Sequence, residues 1–409
     1  MINQQKSIKM KRALNSTNTK SYVYLRVSYV INLYTNNIRM KKIILSSVLA
    51  VFLISGCTND PNDFPNYTEQ SVYFPHQYPV RTLVLGESAV DNSIDLQHAF
   101  NIGACIGGMY ENDKNWNVTF GLAPEYLNYL TTFQVNDPNG TLTTVKLMPS
   151  SYYNLVTSSD STIVIPKGSF SGLLRVNLTD EFFNDSNSYK TLYVLPIKIK
   201  SASTTILSGI PNVSLQQNPY PNPVLTTDWE TGYAPMNFTL FAVKYINPWH
   251  GTFFYRGKQY KNGVLDNTYH QLDLEMNATA AVVTDGFTKC LFKRMGTFVT
   301  STNVSKMTFS SDIDGVGDIT LSSANGSSLG VTGTGKYYKS NTEFAKQYGA
   351  WLINPITNLP TPRLTMTLDY TVTGISAGNT YHFVDTLVFR DNSMVFQTFT
   401  PVATTLTHY

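Results

Sequence analysis

Gly374-Ile375-Ser376-Ala377-Gly378 has the spacing of a nucleophile elbow, and Asp385 and His408 follow it in the order that such hydrolases use for acid and base. That chemistry needs a strand, a strained turn and then a helix beneath the serine. The runs on either side, 364–373 and 380–390, both alternate like strands, so a glycine-bounded hairpin turn is expected instead. Gly330 to Gly335-Lys336 approaches a phosphate-binding loop, but Tyr337 stands where a hydroxyl would hold magnesium and no helix start follows. A flexible Gly/Ser loop is the expectation. Asp312, Asp314 and Asp318 offer oxygen ligands but lack the remaining positions of a calcium loop, which leaves an Asp-Gly turn. Asp273 and Glu275, two apart on an expected strand, share one face; they would sit side by side rather than flank a sugar as two hydrolytic acids must. The six histidines contain no HExxH-type pair, and Cys57, Cys105 and Cys290 make no CxxC. No catalytic residue, metal or cofactor is expected.

Aromatic side chains offer a different chemistry. Sugar rings present polarised C–H faces that stack on Trp and Tyr, while Asn, Asp, Gln and Lys exchange hydrogen bonds with hydroxyls, so binding needs ring platforms and no perturbed acid. Trp249, Trp351, Tyr255, Tyr260 and Trp229 are the candidate glycan-binding residues, each in the second half of the chain and several beside turn residues. Trp249, in Asn247-Pro248-Trp249-His250-Gly251, and Trp351, next to the irregular stretch 354–363, are the preferred pair. Both positions also suit the end of a barrel.

The elements that must hold these residues are strands. With 26 Tyr and 22 Phe in 409 residues and only 14% charged side chains, the composition favours pleated, half-buried surfaces. Short alternating runs separated by turn residues begin at Ser71, among them 81–85, 93–100, 116–120, 161–165, 172–178 and 190–199. Seven or more strands in that span fit an immunoglobulin-like sandwich over 71–200. Residues 201–235, with Pro211, Pro219, Pro221, Pro223 and Pro235, read as a Pro-rich linker. Residues 236–409 give a further series of hairpin-length strands without helical crossovers, as in an up-and-down barrel or a second sandwich; only Thr342–Tyr348 invites a short helix.

The N-terminus supplies the address. Met40-Lys41-Lys42, the apolar run Ile43–Ile54 and Ser55-Gly56-Cys57 have the three regions of a secretory signal, too short for a permanent span. Met40 reads as the start, with 1–39 as upstream extension and 57–70 as tether. Residues 1–56 hold nine Lys/Arg and no acid, which leaves 21 basic against 27 acidic residues beyond them. A nucleic-acid partner is therefore not expected. Ile54-Ser55-Gly56-Cys57 resembles the bacterial lipobox, which implies diacylation of Cys57 and outer-membrane anchoring through enough buried methylene groups to hold. The same anchor serves a periplasmic or a cell-surface position; the surface is the expectation.

Several strand motifs add a family resemblance. Val72-Tyr73-Phe74-Pro75, Met148-Pro149 with Tyr152-Tyr153-Asn154-Leu155, Tyr193 to Ile199, Phe241 to Tyr245 and Asn247 to Gly251 together resemble a Bacteroidetes lipoprotein family. Its members carry an N-terminal immunoglobulin-like domain, also found fused to glycoside hydrolases, and a C-terminal calycin-like barrel. The resemblance implies an all-β chain of those two domains, placed in polysaccharide-utilisation systems beside TonB-dependent transporters and starch-utilisation-type binding proteins. It implies non-catalytic binding of polysaccharide or oligosaccharide at the cell surface, and no site residue is carried over. Such binding should survive chelation and depend little on salt. The competing expectation is a structural or adhesion component of a surface assembly, which exposed edge strands or an apolar patch would favour.

Overall fold

A computed structural model of the chain describes residues 66–135, 142–156, 161–212, 221–299, 305–310, 314–348, 352–353 and 360–403. Cys57, the signal-like segment and Trp351 lie outside them. The chain from Asn66 to Tyr409 forms one compact unit. Within it, alternation of buried and exposed residues yields a two-sheet sandwich and a closed barrel, the all-β architecture expected.

One sandwich sheet runs Thr205–Ile206, Ser71–Tyr73, Ala99–Gly107, Ser171–Leu178, Tyr153–Val156. The facing sheet runs Leu142–Thr144, Leu130–Val135, Gln397–Ala403, Pro79–Val84, Phe238–Ile246, Tyr193–Ala202, Trp116–Leu122, Thr162–Ile165. Phe100, Ile102, Val118, Leu174, Ile197 and Tyr245 fill the layer between them. The second sheet is covered on its other face too, where Val194, Leu240 and Ala242 meet Tyr126, Phe133 and Phe399. Burial on both faces accounts for the nearly unbroken apolar run of Phe238–Ile246, which pairs parallel with Pro79–Val84 and antiparallel with Tyr193–Ala202.

This arrangement corrects the boundaries read from sequence. Residues 238–246 and 397–403, expected in the second domain, are strands of the first. The barrel proper spans Gly251–Asp391. Eight antiparallel strands close it: Gly251–Lys261, Ala278–Gly286, Lys289–Phe292, Ser305–Phe309, Val316–Ser323, Gly330–Tyr338, Thr365–Thr373 and Thr380–Asp391, the last pairing back onto the first. Inward side chains such as Phe253, Phe292, Met307, Leu368, Tyr370 and Phe383 are buried and pack together, so the interior is a core. Val264–Tyr269 extends the sheet as a ninth strand paired only with Gly251–Lys261 among the described residues.

Four local expectations also change. Gly330–Lys336 is not a loop but strand, with Gly333 and Gly335 lying against the backbone of residues 367–370, where a Cβ has no room. Asp273 and Glu275 lie in a turn around Leu274–Met276, not on a strand. Residues 95–97, taken as strand, form a helical turn before Ala99. The described part of 201–235 is packed, not a free linker: Val224 joins the sandwich core, and Ile210 exchanges backbone hydrogen bonds with Glu230 and Tyr233. Glu343–Tyr348 is a short helix, where one was expected.

Candidate functional site

Asn247-Pro248-Trp249-His250-Gly251 is the joint between sandwich and barrel. The Asn247 amide donates to the carbonyls of Gly286 and Lys289, and its oxygen accepts from the Trp249 backbone N–H at 3.2 Å. His250 accepts the Thr284 N–H at 3.0 Å, and burial, followed by Lys244, lowers its pKa to about 4. Trp249 is 8% exposed and stacks on Phe309 at 4.1 Å and 7°, with Tyr337 edge-on. It is therefore no exposed platform, although it reaches one wall of a cleft of about 390 Å³ between the two domains, opposite Leu85, Glu87 and Leu96. Both Glu87 carboxylate oxygens are held there by the N–H groups of Ser340 and Leu364 at 3.2 Å, which clasps the domains together.

Inside the barrel, the inward series Tyr381, Phe383, Asp385, Leu387 carries a carboxylate to a 1% exposed position. Asp385 accepts hydrogen bonds from Tyr255 at 2.6 Å, from Tyr370 at 2.8 Å and from Tyr269. Gly257 makes room for it, since a Cβ there would meet Asp385 Oδ1. Gly296 N–H donates to the Tyr255 oxygen at 2.6 Å, and the Arg294 guanidinium lies 5.1 Å from the Tyr255 ring centre. Burial raises the Asp385 carboxyl to about 6, against the pull of its three hydroxyl donors. Tyr255, expected as a sugar platform, is 1% exposed and belongs to this cluster. The serine of Gly374–Gly378 sits in a hairpin turn, 3.3 Å from the Tyr381 hydroxyl, while Asp385 is engaged by tyrosines; no elbow forms.

Tyr260 is half-buried on a barrel strand beside His382, 5.5 Å between ring centres, and lines neither the cleft nor the groove described next. Asp318 pairs with Lys336 at 2.8 Å. Among the described residues no group of three His, Cys, Asp or Glu is placed to hold a metal ion.

Trp229 leads to a more open arrangement. Its indole N–H donates to the Asn222 carbonyl at 2.9 Å, and its ring rests on Gly209, whose φ of +83° and lack of Cβ leave space for it. The ring is 8% exposed and reaches a groove of about 470 Å³. The helical turn Pro124–Tyr129 supplies Glu125, buried Tyr126 and half-exposed Tyr129; the strand Tyr193–Ala202 supplies Lys198 and Lys200; and Pro221, Pro223 and Pro235 wall the other side. Burial, then Glu125 and Tyr129, pushes the Tyr126 hydroxyl up to about 12, so it stays a neutral donor. Asn237 lines the same groove at 8% exposure. Its amide N–H reaches Ser208 Oγ at 3.4 Å, whereas its Oδ1 is buried without a hydrogen-bond partner. An acceptor left unmet beside an opening invites a donor from outside. Of the candidates read from sequence, Trp229 alone stands at this groove; Tyr126, Tyr129 and Asn237 were missed, because the turn Pro124–Tyr129, the strand Tyr193–Ala202 and the segment that carries Trp229 and Asn237 meet there only through the fold.

Comparisons with known proteins cover this frame. A family model for an N-terminal domain matches residues 66–206, ending at the strand Thr205–Ile206. A solved protein of unknown function from Bacteroides ovatus is 29% identical, with a TM-score of 0.66 over 83% of this chain and 99% of its own. A second Bacteroides ovatus protein of unknown function, 12% identical over 78% and 94%, reaches a TM-score of 0.36. An auxiliary nutrient binding protein from Bacteroides thetaiotaomicron, 14% identical over 76% and 90%, reaches 0.35. No curated protein matches the chain. The chain thus combines a recognised N-terminal domain with an architecture that a Bacteroides protein shares almost from end to end.

Proposed function

We propose that this chain is a lipid-anchored protein of the bacterial outer membrane, facing outward, that binds polysaccharide without transforming it and delivers it to a nutrient-uptake system. The observation that carries this reading is the groove at Trp229, where Tyr126 and Tyr129, a wall of proline rings and the side chain of Asn237 line one opening. Flat apolar surface receives the C–H face of a sugar, and the polar rim exchanges hydrogen bonds with hydroxyls. A binder of this kind needs no acid–base pair. The one buried acid with a strongly raised pKa among the described residues, Asp385, is enclosed by its own tyrosines, away from this opening. Anchoring through Cys57 would let weak contacts with a repeating polymer add up, and a TonB-dependent transporter with a starch-utilisation-type binding protein would be the neighbours served.

The test is affinity electrophoresis of the chain through gels containing neutral and acidic polysaccharides, with reducing ends assayed in parallel. Retardation by at least one polymer, weakened in Tyr129→Ala and Trp229→Ala and without release of product, is the expected result. Product release would replace binding by hydrolysis. A second reading, assembly with another surface protein, draws on the open edge of Val264–Tyr269, where Val264 and Leu265 are exposed and the turn that follows shows Leu272 and Met276. Retention by a partner but by no polysaccharide would favour it.

A further inference from the structure

The groove is built for charge as well as for rings, and its two lysines are set in place. Lys198 holds its ammonium 5.2 Å from the centre of the Tyr126 ring. Lys200 falls where the ladder with Trp116–Leu122 skips from Ile199 to Ser201, a bulge that re-aims the side chain. Its stem lies across Gly121, where any Cβ would come within 2.8 Å of the Lys200 Cε. Neither ammonium has a carboxylate within ion-pair distance among the described residues, and the one acid lining the groove, Glu125, is exposed at its rim. Two unpaired cations in a chain that is net acidic beyond residue 56 are a local departure from the charge around them.

Resting on the saccharide-binding reading above, we infer that the ligand of this groove is an acidic polysaccharide, its anionic substituent held between Lys198 and Lys200, a ring face laid on Tyr129 and the edge of Trp229, and a hydroxyl set against the Asn237 side chain. Each part of the site then meets a different part of one sugar residue. Uronate carboxylates and sulfate esters share the required charge. Ammonium–oxyanion hydrogen bonds are shorter and stronger than neutral ones, so the charged substituent should account for most of the selectivity. Salt then matters, in contrast to the weak dependence expected of the saccharide binding that the family resemblance implies.

The experiment compares matched polymers on the full chain: polygalacturonate against its methyl-esterified form, and dextran sulfate against dextran, each at low and at raised salt. The expected result is retention by at least one acidic member, about fivefold or more stronger than by its uncharged counterpart and falling with salt. The pair that shows it names the substituent. The double variant Lys198→Ala/Lys200→Ala should bring the acidic polymer down to the level of the neutral one, Lys198→Arg/Lys200→Arg should keep it, and Glu125→Gln should strengthen it by about twofold. All three change exposed or half-exposed side chains, and circular dichroism confirms that each variant folds. Equal retention of charged and uncharged partners, or indifference to the loss of both lysines, overturns the inference while leaving saccharide binding intact. Retention of neutral polymers alone does the same. Failure to retain any of the four, and any neutral glucan, galactan or mannan beside them, overturns both.

Discussion

The barrel interior and the sandwich groove both gather tyrosines around a polar group, and they differ in whether that group is satisfied. Asp385 receives three hydroxyls and is 1% exposed within the packed core. Asn237 Oδ1 is buried and receives nothing, and its residue lines a groove of about 470 Å³. A buried polar cluster that closes on itself fixes a structure, whereas one with a bond still to make beside an opening is fitted for a ligand. The charge distribution follows the same division. The carboxylate is sealed inside the barrel, and the cations of the groove face outward.

The sharpest way to break the contrast is to remove the acceptor that closes the barrel cluster. Asp385→Ala leaves two buried hydroxyls and the half-buried one of Tyr269 without it and should cost about 3–5 kcal/mol of unfolding free energy, read by denaturant titration. Loss of less than about 1 kcal/mol would show that the cluster does not hold the barrel. Acidity gives the next largest effect. Burial holds the Asp385 carboxyl up at about 6, above the range of an unfolded aspartate, so its contribution to stability is whole below about pH 4 and is lost as pH rises through 6. The stability of the wild type relative to Asp385→Asn should therefore fall by up to about 3 kcal/mol between pH 4 and pH 8. A flat difference would mean that the carboxylate is as well solvated by its tyrosines as by water. Gly257→Ala, which pushes a methyl group into Asp385, should cost about 1–3 kcal/mol without changing retention by polysaccharide.

The groove should respond in the opposite sense. Asn237→Leu removes an unsatisfied acceptor and a long bond to Ser208, so thermal stability should stay within about 1 kcal/mol of the wild type, while retention by the bound polysaccharide weakens by about five- to tenfold. A variant that loses stability and keeps its binding would reverse the roles assigned to the two regions.

Much of the fold was legible because period-2 alternation is a local signal. Thr365–Thr373 and Thr380–Asp391 read as strands, and the same alternation that buries Tyr381, Phe383 and Leu387 places Asp385 inside with them. That position was the available signal for the barrel cluster, although Asp385 was weighed only as the acid of a nucleophile elbow that the flanking strands argued against. Partnership between strands left no such trace. Phe238–Ile246 looks like a barrel strand when taken in order, and Gln397–Ala403 falls in the same expected domain by position, yet both pair with Pro79–Val84, far away in sequence. The groove was still less legible. Prolines at 221, 223 and 235 signal extended chain equally well in a linker and in a packed wall, and only the fold brings that wall to Lys198 and Tyr129. Tryptophans were weighed by their neighbours in sequence, which do not reveal that Trp249 is covered by Phe309.

The strand Gln397–Ala403 lies between Pro79–Val84 and Leu130–Val135, so the first domain is completed only by residues synthesised after all the barrel strands. A nascent chain cannot finish the sandwich while the barrel is still emerging. Until residue 403 is available, two strand edges stand bare, the kind of surface on which chains pair wrongly with one another. Closing a contact across more than 300 residues is also slow compared with a hairpin. Biogenesis of this protein therefore has a built-in waiting period, during which a holding factor that keeps the unfinished sheet apart from its copies would matter more than any catalyst of folding.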